Sequence, residues 1–181
     1  MKRTVLLLLA AGCVYAGKAT REERLSTALA ERDRYCDRDV EPLVADIRSD
    51  IHATEPLYVK LRTGPRNGNY AVKLVGAQLY VPDGHAMTPE QLQGILHCHQ
   101  ARTVLGDIPA SADDPFSLAD AWMDIQVQSE RSGLVVKLRG QDPEEAQLID
   151  SKAQRLWARS ARGVEDGGAA QGGDQTGANE Q

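Results

Sequence analysis

Apolar positions along this chain change their period several times, and each change marks an element. From Thr20 to Ala53 the residues Leu25, Leu29, Cys36, Val40, Leu43, Ile47 and Ile51 recur at spacings of three, four and seven, one face of a helix. Charged residues fill the other face, in Arg21-Glu22-Glu23-Arg24 and Glu31-Arg32-Asp33-Arg34. Pro42 removes a backbone donor and crowds the preceding turn, so the pattern predicts a break near Asp39 and two helical pieces. The period then falls to two. Leu57, Val59 and Leu61 alternate with Tyr58, Lys60 and Arg62, and Ala71 to Val81 forms a longer strand in which Gly76 marks a bulge or close packing. The dense turn signal Gly64-Pro65-Arg66-Asn67-Gly68-Asn69 joins the two as a hairpin.

The helical period returns at Thr88-Pro89-Glu90-Gln91, where Thr, Pro and Gln stand as a capping box requires. This helix runs to Leu105 and stops at Gly106, and its apolar face centres on Leu92, Ile95, Leu96, His99 and Thr103. After a loop over residues 107–119, two strands are predicted, Trp122 to Gln128 and Leu134 to Arg139. Their buried rows are Met123, Ile125, Val127 and Leu134, Val136, Leu138. Asp142 caps a final helix with the stripe Ala146, Ile149, Ala153, Leu156 and Trp157. The predicted fold is α+β: N-terminal helices, then a mostly antiparallel four-stranded sheet with helices on one face. Strands 2 to 4 and the last two helices read β-α-β-β-α, a ferredoxin-like core without its final strand. The boundaries are residues 17–53 for the helical segment, 54–162 for the α+β domain and 163–181 for a tail. That tail, rich in Gly, Ala, Gln and Asp with Val164 its one large apolar residue, is expected to be disordered.

Composition narrows the function classes. With 181 residues and 41% hydrophobic content, the chain has the material for one core of ordinary size. No apolar run reaches the roughly 18 residues of a membrane-spanning helix. A net charge of −5 disfavours nucleic acid as a partner, since phosphate contacts need a basic surface.

The amino terminus points to export. Lys2 and Arg3 form a basic head before the apolar run Val5 to Ala11, which lacks the polar face of a core helix. Residues 1–16 therefore read as an export signal. Two processing routes compete. Leu9-Ala10-Ala11-Gly12-Cys13 fits a bacterial lipoprotein box whose Cys13 becomes the lipidated first residue, although Ala10 stands where Leu is commonest. Val14-Tyr15-Ala16 offers ordinary cleavage before Gly17 instead. Either route removes Lys2 and Arg3, leaving 19 basic against 26 acidic residues if cleavage follows Ala16.

Export makes the remaining cysteines informative. An even pair of thiols in an oxidising compartment usually pairs, so Cys36 and Cys98 are expected to form a disulfide where the first helix docks on the helix from Pro89. His97-Cys98-His99, with His52 and His85, invites a metal reading through Cys98 and His99. Consecutive helical residues point 100° apart, however, so the three cannot face one ion, and His99 is expected to be a hydrogen-bonded histidine facing the sheet. The chain carries no GxSxG, SxxK or Gly-rich phosphate loop, so neither a catalytic residue nor a cofactor is assigned. Asp113-Asp114 offers paired carboxylates in a loop, expected to be solvated and without a partner.

Cys98-His99-Gln100-Ala101-Arg102, after a capped helix start, resembles a group of uncharacterised bacterial exported proteins with a Cys-His-x-Ala-Arg segment in that place. Asp83-Gly84-His85 departs from the Pro-Gly of that group. The resemblance covers residues 70–160 and implies an exported α+β domain without supplying an activity. The expectation is a non-enzymatic cell-envelope protein, lipid-anchored and periplasm-facing, with a binding or structural role toward an unknown protein partner. The alternatives are a soluble periplasmic or secreted location and a metal or small-ligand binder using Cys98 and His99.

Overall fold

The computed structural model describes residues 19–63, 70–82 and 86–168, with side chains as far as Ser160 in the last helix. The export signal with Cys13, the turn Gly64–Asn69, the stretch Asp83–His85 and residues 169–181 lie outside the described residues.

The predicted helical break is present. Helix α1 spans Arg21–Tyr35 and helix α2 spans Glu41–Asp50. Thr20 opens α1 with a capping box, accepting from the Glu23 amide at 3.2 Å while the Glu23 carboxylate accepts from the Thr20 amide at 2.7 Å. Pro42 falls in the first turn of α2, where its missing N–H costs nothing. Because the chain turns between the two helices, the single stripe divides. Val40, Val44, Ile47 and Ile51 are buried, whereas Leu29 is 44% exposed and the small Ala28 fills the buried position of α1.

Four strands follow, β1 (Ala53–Arg62), β2 (Tyr70–Pro82), β3 (Asp124–Glu130) and β4 (Gly133–Arg139), with helix α3 (Pro89–Leu105) between β2 and β3 and helix α4 (Pro143–Gly168) after β4. β3 begins two residues later than its pattern suggested, though Met123, Ile125 and Val127 form the expected buried row. α4 continues five residues past the boundary placed at Gly163. The sheet order is β1-β2-β4-β3, antiparallel throughout. A β-α-β-β-α unit places its three strands in the sequence β2-β4-β3, and β1 takes the remaining edge beside β2.

Directly paired residues share a face of the sheet. Thr54 pairs with Leu79 and Pro56 with Ala77, and the buried row continues through Val136, Leu138, Ile125 and Val127. This face carries the core under α3 and α4. Leu57, Val59 and Leu61 therefore lie on the opposite face, where Leu57 and Val59 are half-buried beside exposed Tyr58 and Lys60, as the alternation predicts. β1 is an edge strand, and its apolar row is only half-buried there, with Leu61 exposed at 45%. Gly76 behaves as expected: the register slips beside it, and any β-carbon built there clashes with the carbonyl oxygen of Leu138 on β4. Its φ of +154° also suits glycine alone.

α3 was expected to have one apolar face. Burial extends well beyond that face: Leu92, Gly94, Ile95, Leu96, Cys98, His99, Gln100, Ala101 and Thr103 are all buried, while Glu90 and Gln91 in the first turn are exposed and Arg102 is partly so. The sheet lies under it, α1 packs on its back, and Tyr35 closes over Gly94, where a β-carbon would stand 3.0 Å from the ring. Thr88 and Gln91 form the predicted capping box, and Gly106 ends the helix in the left-handed conformation. Cys36, just past α1, is bonded to Cys98 of α3, with α-carbons 5.2 Å apart and 62 residues between them in sequence.

A loop of that length gives a loop-entropy stabilisation of about 4 kcal/mol. Cys36→Ser and Cys98→Ser should each lower the denaturant midpoint, and the double variant should lose no more than either single one. Reductant should reproduce the loss in the unsubstituted protein, because Cys36 borders an open cleft of about 640 Å³. Gly76→Ala should cost roughly 3 kcal/mol through overpacking and backbone strain, read by the same denaturation curves.

Candidate functional site

The polar residues of α3 leave the helix in different directions, and each meets a fixed partner. His97 lies between the rings of Tyr35 and Trp122, with centroids at 5.7 and 6.3 Å, and its Nδ1 stands 3.3 Å from the Glu31 carboxylate. Cys98 turns toward Cys36. The side-chain amide of Gln100 donates to the Met123 carbonyl at 3.3 Å. His99 turns toward α2 and the loop after α3, so its partners do not come from the sheet it was expected to face.

His99 is the centre of the largest polar cluster. Its Nδ1 is 2.8 Å from Oε2 of Glu41, at the start of α2, and its Nε2 is 2.5 Å from Oδ2 of Asp114. Carboxylates only accept, so an imidazole flanked by two of them donates from both nitrogens and carries a charge. Glu41 also accepts from Arg102 at 3.2 Å, and Arg102 donates to Asp39 at 3.0 Å. Asp114 accepts from the Phe116 amide and the Ser117 hydroxyl, each at 3.0 Å, with Arg48 at 3.9 Å. The expectation of a solvated, unpartnered Asp113-Asp114 is overturned. Asp114 is only 2% exposed, and Asp113 pairs with Arg155 and Arg159 of α4. The partners arrive from elements 15 and 58 residues away from His99, which is why no local spacing announced them.

Burial alone would push the His99 pKa down, but the hydrogen bonds and charges of Asp114 and Glu41 outweigh it and hold it above its ordinary 6.5. Burial likewise pushes Asp114 up, and His99, the Phe116 amide and Arg48 reverse this, leaving it below 3.8. Lys152 of α4 is buried against the same loop. Its ammonium donates to the carbonyls of Ser111, Asp114 and Ser117 at 2.9, 3.2 and 3.0 Å, and desolvation lowers its pKa.

An Asp-His-Glu set with a nearby serine has the parts of acid–base machinery without its geometry. A general base needs a nitrogen lone pair facing a substrate, and both nitrogens of His99 are engaged in a site 4% exposed. Ser117 is fully buried and donates to Asp114. The cluster acts as a clasp that joins α2, α3 and the loop. The Cys98–His99 ligand pair meets the same obstacle, since Cys98 is oxidised and His99 is occupied. Among the described residues no group of three or more His, Cys, Asp or Glu is arranged to hold a metal ion. A cavity of about 440 Å³ lies between the loop and α4, bordered by Ala110, Leu118, Ala121, Leu148, Glu145 and Lys152.

The clasp fixes a pH dependence. His99 binds its proton more tightly folded than unfolded, so its stabilisation is complete below about pH 6.5 and is lost as pH rises through the folded-state value. Asp114 gives the opposite limb, complete above about pH 4 and lost in acid. Urea midpoints should be highest between those limits, and His99→Gln should flatten the alkaline fall. His99→Ala should cost about 3–5 kcal/mol by leaving Asp114 buried without its cation. Combined with Asp114→Ala, the loss should be far smaller than the sum of the single losses.

No family model, curated protein or solved structure matches the chain. What the site can do rests on its own geometry.

Proposed function

We propose that the protein is an exported, lipid-anchored domain of the bacterial cell envelope that serves as a binding or structural module without catalytic chemistry of its own. The observation that carries this reading is the Cys36–Cys98 bond, since disulfides persist in oxidising compartments and are rare in the cytosol. The basic head, apolar run and Cys13 supply the address, with processing at Cys13 favoured over cleavage after Ala16. The His99 clasp supports the non-catalytic part, because its acid and base groups are all turned on one another. A small-ligand role remains the second reading. It draws its support from the cavity beside Lys152 instead of from Cys98 and His99.

Labelling with radioactive palmitate and an intact mass from envelope fractions test the reading together. The expected product lacks residues 1–12, carries lipid on Cys13 and has Cys36 and Cys98 oxidised. An unlabelled chain beginning at Gly17 would move the protein to the soluble periplasm, and both thiols free to alkylation would end the envelope assignment.

A further inference from the structure

The β1–β2 hairpin is longer than the sheet that holds it. β2 pairs with β4 only from Gly76 to Pro82, so Leu57–Arg62 and Tyr70–Val75 have each other and no further strand. Six residues of strand carry this arm about 20 Å past the sheet. The arm is apolar where a solvated ribbon would be polar. Of the seven large hydrophobic side chains exposed among the described residues, four lie here: Tyr58, Leu61, Tyr70 and Val72, at 54, 45, 62 and 63%. Every charged residue within Leu57–Arg62 and Tyr70–Val75 is basic, namely Lys60, Arg62 and Lys73, in a chain whose net charge is −5. Register places Tyr58, Lys60 and Arg62 on one face with Leu74, Val72 and Tyr70. Amphipathic aromatics among lysine and arginine are the side chains that settle at a bilayer–water boundary.

A second observation concerns where the chain enters the domain. The Ala19 amide donates to the Gln141 side chain at 3.1 Å, and the amide of neighbouring Gly140 donates to the Val75 carbonyl, at the root of the arm, at 2.9 Å. The chain leading back to Cys13 thus leaves from the end of the domain that bears the arm. Six residues from Cys13 to Ala19 span at most about 20 Å, the reach of the arm itself.

We propose that the β1–β2 arm is a membrane-contacting element that seats the face bearing Tyr58, Tyr70 and Val72 among anionic phospholipid headgroups, on the same surface that holds the lipid of Cys13. The tether argument rests on the lipid anchor proposed above, while the composition and projection of the arm do not. The arrangement supplies the second signal that a lipid chain needs for stable attachment. It also holds the acidic body about two Debye lengths from an anionic surface.

The test uses the full chain carrying Cys13→Ser, so that binding is read without the lipid, in sedimentation with phosphatidylglycerol-containing vesicles and with phosphatidylcholine alone. Cosedimentation with the first and not the second is expected, weakening as salt rises. Lys60→Gln should reduce binding about fivefold. Tyr58→Ser with Tyr70→Ser should reduce it further while preserving the salt dependence, and thermal melting will show whether each variant keeps its fold. No binding to the anionic vesicles, equal binding by folded arm variants, or a Cys13→Ser dimer that masks the arm and ignores vesicles would overturn the proposal. Palmitate labelling of the native chain reports the anchor separately, so an arm that fails and an anchor that fails give different results.

Discussion

Helix α3 is buried over most of its surface beyond the first turn, and the rest of the molecule is arranged around that constraint. A helix so largely buried keeps its polar residues by giving most of them a partner in a fixed place. His97, Cys98, His99 and Gln100 leave the axis in four directions, and the structure answers with an aromatic pair, a sulfur, two carboxylates and a backbone carbonyl. Those partners belong to α1, the linker after it, α2, the loop after α3 and the two residues just before β3. Satisfying one helix therefore positions most of the domain.

Two of these attachments differ in kind. The disulfide acts mainly on the unfolded chain by closing a long loop, and it is indifferent to pH over the neutral range. The His99 clasp acts on the folded state and depends on protonation. Its net worth is smaller than its contacts suggest, because three charged groups lose water to form it. Removing one member is far more damaging than never having had the set. Lys152 repeats the pattern, exchanging water for three carbonyls and thereby holding the loop that carries Asp114. The clasp and the lysine tie down the irregular stretch of residues 106–123 between α3 and β3.

The sheet is asymmetric in the same sense. One face is covered by α3 and α4 and supplies most of the core, while the other stays open and polar around Gln78, Tyr80, Gln126 and Lys137. A domain with one covered face has a definite top and bottom, and the arm together with the incoming chain mark one end of it.

The sequence by itself determined the elements and most of their ends. Local chemistry suffices for these: Pro42 and the broken stripe for α1 and α2, Thr88 and Gln91 for the start of α3, Gly106 for its stop, Asp142 for the start of α4 and Gly76 for the bulge. The Cys36–Cys98 pairing was also legible, because reading residues 1–16 as an export signal leaves two cysteines and one combination. Tertiary structure alone decided which faces those elements bury. The alternation of β1 could not reveal that the strand lies at an edge, where Leu61 is exposed while Leu57 and Val59 stay half-buried. The pattern of α3 could not reveal that α1 would cover its polar back. Asp114 looked solvated because its partners, His99 and Arg48, reach it from α3 and α2 only after the chain has folded. Period and capping are set by neighbours in sequence, whereas the burial and charge state of a side chain are set by whatever the fold brings against it.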